Sequence, residues 1–131
     1  MSKEMIEIYQ PIFFSMDLIE TEDNLPSMLF QVKASAETLT RRISFEDRVW
    51  FTCESFDQFI SSINGSSEAE LVSMDECVKL QILRGDRPRF KVSCESKQIP
   101  GSIDLVTLCR ENDEDEFAKL SESFKNFPRW W

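Results

Sequence analysis

Two runs in the middle of the chain alternate strictly between apolar and polar residues. Val78, Leu80 and Ile82 are separated by Lys79 and Gln81, and Phe90, Val92 and Cys94 alternate with Arg89, Lys91, Ser93 and Glu95. A period of two puts every second side chain on one side of a strand, so each run demands one dry face and one wet face. The "RGDRP" segment between them supplies turn residues, and the three pieces together predict an antiparallel hairpin.

Further strands follow from weaker versions of the same signal. Leu39, Ile43 and Phe45 share a side opposite Thr40, Arg42 and Ser44, with Val49 and Phe51 continuing the run after a turn or bulge at "EDR". "SMLFQVKAS" offers a strand anchored by Phe30 and Val32, and one more is expected within the first 20 residues. In "SIDLVTLC", Ile103, Leu105, Thr107 and Cys109 face one way while Val106 and Leu108 face the other, which suggests cover on both faces. Phe13, Phe14, Met16, Met28 and Met74 are expected in the core.

Helical period appears twice. In "TCESFDQFISSING", Phe56, Phe59, Ile60 and Ile63 form one apolar stripe, Ser55 and Gln58 have the spacing of a capping box, and Gly65 suits a left-handed stop. In "ENDEDEFAKLSESFKNFPRWW", Phe117, Leu120, Phe124 and Phe127 repeat until Pro128 ends the helix. The expected fold is therefore α+β, a single domain over residues 1–131. It has an antiparallel sheet of about six strands with both amphipathic helices on one face, in the order three strands, helix, three strands, helix. "IETEDNLPS" and "NGSSEAE" are the expected exposed loops.

Charge narrows the function. The 131 residues carry 24 Asp and Glu against 15 Lys and Arg, a formal charge of −9. That balance argues against nucleic acid or an anionic membrane as the main partner and favours a basic protein. Eleven Phe and three Trp supply enough large apolar side chains for a core without staples. No basic stretch leads into an apolar run at the N-terminus, and the longest purely apolar stretches are the three-residue "IFF" and "MLF". The expectation is a soluble, cytoplasmic protein. Cys53, Cys77, Cys94 and Cys109 form no C-x-x-C pair; two disulfides are formally open, but buried free thiols are the reading that suits a reducing compartment.

The sequence contains no His, which removes the Ser-His-Asp and Cys-His nucleophile systems and the usual zinc ligand sets. It also lacks a glycine-rich phosphate loop, so neither cofactor nor metal is expected. Carboxylates alone could still serve as acid and base, with Glu20, Asp23, Glu46, Asp47, Asp75 and Glu76 among the candidates for a hydrolase.

Three features suggest contact with a partner instead. The first is the "ENDEDE" run, where Asp113, Glu114, Asp115 and Glu116 either complement the dipole at a helix start or meet cations on another protein. The second is the acidic group Glu20, Glu22 and Asp23. The third is the terminal pair Trp130 and Trp131, which either dock on the chain's own core or serve as binding anchors.

The order of these elements carries a family likeness. From about Phe30 onward, "FQVKAS", the "SFDQFISSI" helix with Phe56 and Phe59, "AELVSM" from Ala69 to Met74, and the last helix closing at Phe127 and Pro128 resemble the small immunity proteins that neutralise contact-dependent toxins of the WapI type. The resemblance implies binding and blocking of a cognate toxin, commonly a basic nuclease, by a monomer in a 1:1 complex without turnover. An acidic secretion chaperone, usually a dimer, is the alternative within binding proteins.

Overall fold

A computed structural model describes residues 4–65 and 68–131. The α+β class is as expected, but the strands number eight among the described residues and divide into two sheets. β1 (Met5–Ile8), β2 (Phe13–Glu22), β3 (Ser27–Glu37) and β4 (Arg42–Thr52) form an antiparallel meander that leads into α1 (Cys53–Gly65). β5 (Glu68–Val72), β6 (Val78–Leu83), β7 (Arg89–Ser96) and β8 (Asp104–Glu111) form a second meander that leads into α2 (Glu114–Lys125). The single six-stranded sheet is thus corrected to two sheets of four.

Each half holds one strand more than its sequence pattern showed. In the first half, the bend at Gln10 and Pro11 splits one apolar stretch into β1 and β2, since proline has no amide hydrogen for a ladder. In the second half, Glu68–Val72 reads as a polar loop because Glu68 and Glu70 alternate with only two core residues, Ala69 and Leu71. Those two are buried, and the segment pairs with β6 from Glu68↔Leu83 to Val72↔Lys79.

The predicted hairpin is present as β6 and β7, in register from Val78↔Cys94 to Leu83↔Arg89. β4 pairs with β3 without interruption from Glu37↔Arg42 to Ser27↔Thr52, so no break occurs at "EDR". Leu39 lies in the turn before it and is fully exposed, and Ile43 is also exposed, because the covered part of β4 starts after them, with part-buried Phe45, and continues to Val49 and Phe51. Between β2 and β3 a bulge at Ile19 shifts the register, turning Glu20 and Glu22 to the outer face. β8 is not covered on both faces: Leu108 is buried, whereas Leu105 is exposed, as is Ile103 just ahead of the strand.

The dry faces of both sheets and the stripes of both helices share one core. Phenylalanine rings connect its parts. Phe14 of β2 meets Phe90 of β7 edge to face at 5.7 Å, Phe59 of α1 meets Phe124 of α2 at 4.9 Å, and Phe127 lies 5.3 Å from Phe56 and 5.6 Å from Phe30. The outer faces are polar, with Gln31 and Lys33 on the first sheet and Lys79, Gln81 and Lys91 on the second.

The helix starts also differ from the expected caps. Thr52 Oγ1 accepts the Ser55 amide at 3.1 Å, so α1 starts two residues before Ser55, and Gln58 reaches Glu54 instead of closing a box. Gly65 ends α1 without a left-handed φ. The four cysteines are free, two of them buried. No described helix is long and apolar enough to cross a membrane.

Candidate partner-binding surface

The acidic residues singled out by sequence fall into two separate places. Glu20 and Glu22 stand on the outer face of β2, and Asp23 follows in the turn to β3; all three are exposed. Across the first sheet Glu20 lies level with Leu29 and Trp50, and Glu22 with Ser27 and Thr52. Because Val49 and Phe51 point inward, Trp50 between them must point outward. It thereby enters the same surface as the carboxylates.

The β5–β6 turn completes that surface. Its Met74 amide donates to the Trp50 carbonyl at 2.8 Å, fastening the turn to the edge of β4. Asp75 Oδ1 accepts from the Ser73 hydroxyl at 2.6 Å and from the Cys77 amide at 3.0 Å, and Ser73 Oγ in turn accepts the Val78 amide at 3.0 Å. Glu76 sits at φ 64, a left-handed conformation unusual for a residue with a Cβ, and its amide donates to the Ser73 carbonyl. Burial pushes the Asp75 carboxyl up, but the hydrogen bonds from Ser73 and Cys77 outweigh it, and its pKa ends below the ordinary value. Asp75 is therefore ionised at neutral pH.

The outcome is an open groove of about 350 Å³ lined by Glu22, Leu25, Ser27, Arg48, Val49, Trp50, Met74 and Asp75. Leu25 and Met74 are about half exposed, so the lining is apolar with carboxylates at its rim. Arg48, its one cation, donates from Nε to Gln31 Oε1 at 2.8 Å, and Gln31 donates onward to Glu46 at 2.6 Å. Met74, expected in the core, instead faces solvent because the turn carries it past the end of the strand.

The second acidic cluster is held largely by its own helix. Asp113 caps α2: its carboxylate accepts the Glu116 amide at 2.8 Å, and Glu116 accepts the Asp113 amide at 3.0 Å. Asp115 pairs with Lys119 one turn on at 3.1 Å. Only Glu114 has no such local role. Asp113, Asp115 and Glu116 do border a groove of about 420 Å³ with Glu7 and Tyr9, but Glu22 is not among its lining, so the two clusters do not combine into one site.

The terminal tryptophans part company. Trp131 folds back on α1, donating from Nε1 to Asp57 Oδ2 at 2.7 Å and meeting the Phe56 ring edge to face at 6.0 Å. Arg129 binds the other oxygen of Asp57 at 2.8 Å. Trp130 packs its edge on Trp131 and remains 41% exposed.

The carboxylates considered for acid–base work are scattered. Glu46 lies on the outer face of the first sheet, whereas Asp47 is half-buried and accepts a weak contact from the Cys94 thiol at 3.8 Å. Asp75 is shifted down, away from what a general acid requires. Compared with known proteins, the chain matches no family model, no curated protein and no solved structure.

Proposed function

We propose that this protein binds and blocks a basic protein, one partner per chain, as an immunity protein does for a cognate toxin in the cytoplasm of the producing cell. The observation that carries this reading is the groove where Leu25 and Met74 lie open beside part-buried Trp50 inside a rim that includes Glu22 and Asp75, next to Glu20 and Asp23. Trp and Met are enriched at interface centres, where a large apolar contact anchors the partner. Carboxylates around them select a cationic partner and accelerate encounter, and a net charge of −9 adds long-range attraction. A nuclease cleft built to hold phosphates is a surface of that kind. Occlusion by such a groove involves no turnover.

The likeness to WapI-type immunity proteins points in the same direction. The test uses the purified chain and the product of the reading frame next to its gene, expected to carry a basic nuclease toxin domain. Trp50→Ala is expected to weaken binding at least tenfold, and Glu22→Lys to slow association while leaving the fold intact by circular dichroism. Raising salt from 50 to 500 mM should lower the association rate several-fold. Binding that is indifferent to Trp50→Ala, Glu22→Lys and salt alike would remove the groove from the reading.

A further inference from the structure

β8 is the outer strand of the second sheet, and among the described residues no strand lies on its free side. Protein sheets commonly protect such an edge with proline, lysine, a bulge or a very short strand. β8 has no proline, lysine or bulge and is not short; two of its charges, Asp104 and Arg110, stand on the same side of the strand as buried Leu108, and Arg110 Nη1 donates to the Cys109 carbonyl at 3.1 Å. It runs eight residues in unbroken register with β7, from Ser96↔Asp104 to Arg89↔Glu111. Leu105 on the strand is 63% exposed and Ile103 just before it is 65% exposed.

The strand is also complementary to itself. Laid antiparallel on a second copy with Thr107 opposite Thr107, it sets Asp104 opposite Arg110, Leu105 opposite Cys109, and Val106 opposite Leu108. The two-fold axis repeats each pair, so two Asp104–Arg110 pairs form. Every pair joins residues of the same face, so the dry sides of both sheets stay together. Moving the axis by one residue in either direction loses this match, setting Asp104 against Leu108 or Asn112. Within one chain, neither Asp104 nor Arg110 has an ion-pair partner among the described residues.

We infer that the chain forms a two-fold dimer in which β8 pairs with β8 of a second copy, joining their second sheets into one antiparallel sheet of eight strands. The contact is isologous, as in most homodimers. The groove lining contains no residue of β8, so each copy keeps its own partner site and the partner complex becomes two chains with two partners. This inference stands independently of the proposed function.

Sedimentation of the full chain from 1 to 300 µM tests it. The wild type is expected to pass from monomer to dimer within that range. Asp104→Arg alone, or Arg110→Asp alone, turns two attractive pairs into two repulsive ones and should weaken the dimer roughly 10- to 100-fold. The double variant restores opposite charges and should return to within about threefold of wild type. As a second measurement, Thr107→Cys on the axis should give a disulfide-linked dimer on oxidation, since opposed residues in an antiparallel pair lie about 4.5–5.5 Å apart at Cα. Ser93→Cys, one strand inward, should not. A wild type that stays monomeric at 300 µM overturns the inference, as do single reversals without effect or a Thr107→Cys chain that crosslinks no better than Ser93→Cys.

Discussion

Removing the indole of Trp131 should destabilise the protein much more than removing that of Trp130. Trp131 is part-buried against Phe56 and donates a 2.7 Å hydrogen bond to Asp57. Taking half of a roughly 200 Å² side chain out of water is worth about 2.5 kcal/mol, and the edge-to-face pair adds about 0.5–1.5 kcal/mol. The bond to a carboxylate contributes about 1 kcal/mol at a site still reached by water. Holding the last residues of a chain in place costs about 1–2 kcal/mol. The balance for Trp131→Ala is a loss of about 2–4 kcal/mol, or roughly 8–16 °C in Tm for a domain of this size. Trp130→Ala, at a residue 41% exposed and without the Asp57 bond or the Phe56 contact, should cost about 1.5–2.5 kcal/mol less than Trp131→Ala. Asp57→Ala removes both bonds to the tail and should fall between them. Urea unfolding followed by far-UV circular dichroism measures all three, with an unchanged slope confirming a two-state comparison. If Trp131→Ala melts like wild type and loses partner binding instead, the tail is an interface and the docking account is wrong.

Other expectations concern the core, the helix cap and the thiols. Phe124→Ala should cost about 3–5 kcal/mol in a urea titration, because its fully buried ring touches Phe14 and Phe59 and its loss leaves a cavity between them. Asp113→Ala should cost about 0.5–2 kcal/mol through loss of the capping box, whereas Glu114→Gln should stay within about 0.5 kcal/mol of wild type; equal effects in thermal melts would contradict the local account of this cluster. Burial, with the Asp47 carboxylate beside it, pushes the Cys94 thiol up from 9.0 to about 11. The folded state therefore holds that proton more tightly than the unfolded state, so stability is complete below pH 9 and declines as pH rises toward 11. Cys94→Ala should flatten the part of the alkaline decline measured by urea midpoints that belongs to this thiol.

What the sequence disclosed and what it hid have a common physical origin. Strict alternation identifies β6 and β7, and a period of 3.6 identifies α1's apolar stripe, because burial on one face leaves a periodic record. β5 left almost none, as two apolar residues between glutamates look the same in a loop and in a strand. Neither sheet count nor register is written in periodicity, since one-sided strands satisfy it equally in one sheet of six or in two of four. The groove was half legible. Glu20, Glu22 and Asp23 were visible as charge, and the outward direction of Trp50 follows from its inward neighbours Val49 and Phe51. That Met74 and Asp75 come to stand beside them depends on a turn clasped to β4 by one backbone hydrogen bond, a long-range contact that no local pattern encodes.

The positions of the three indoles give the molecule a built-in optical reporter. Trp50 borders the groove, while Trp130 and Trp131 sit together at the far end of the chain beside α1. Replacing the latter two with phenylalanine leaves a single emitter whose wavelength and quenching by iodide or acrylamide read the polarity of that one cleft. Occupancy can then be followed in real time without any attached dye.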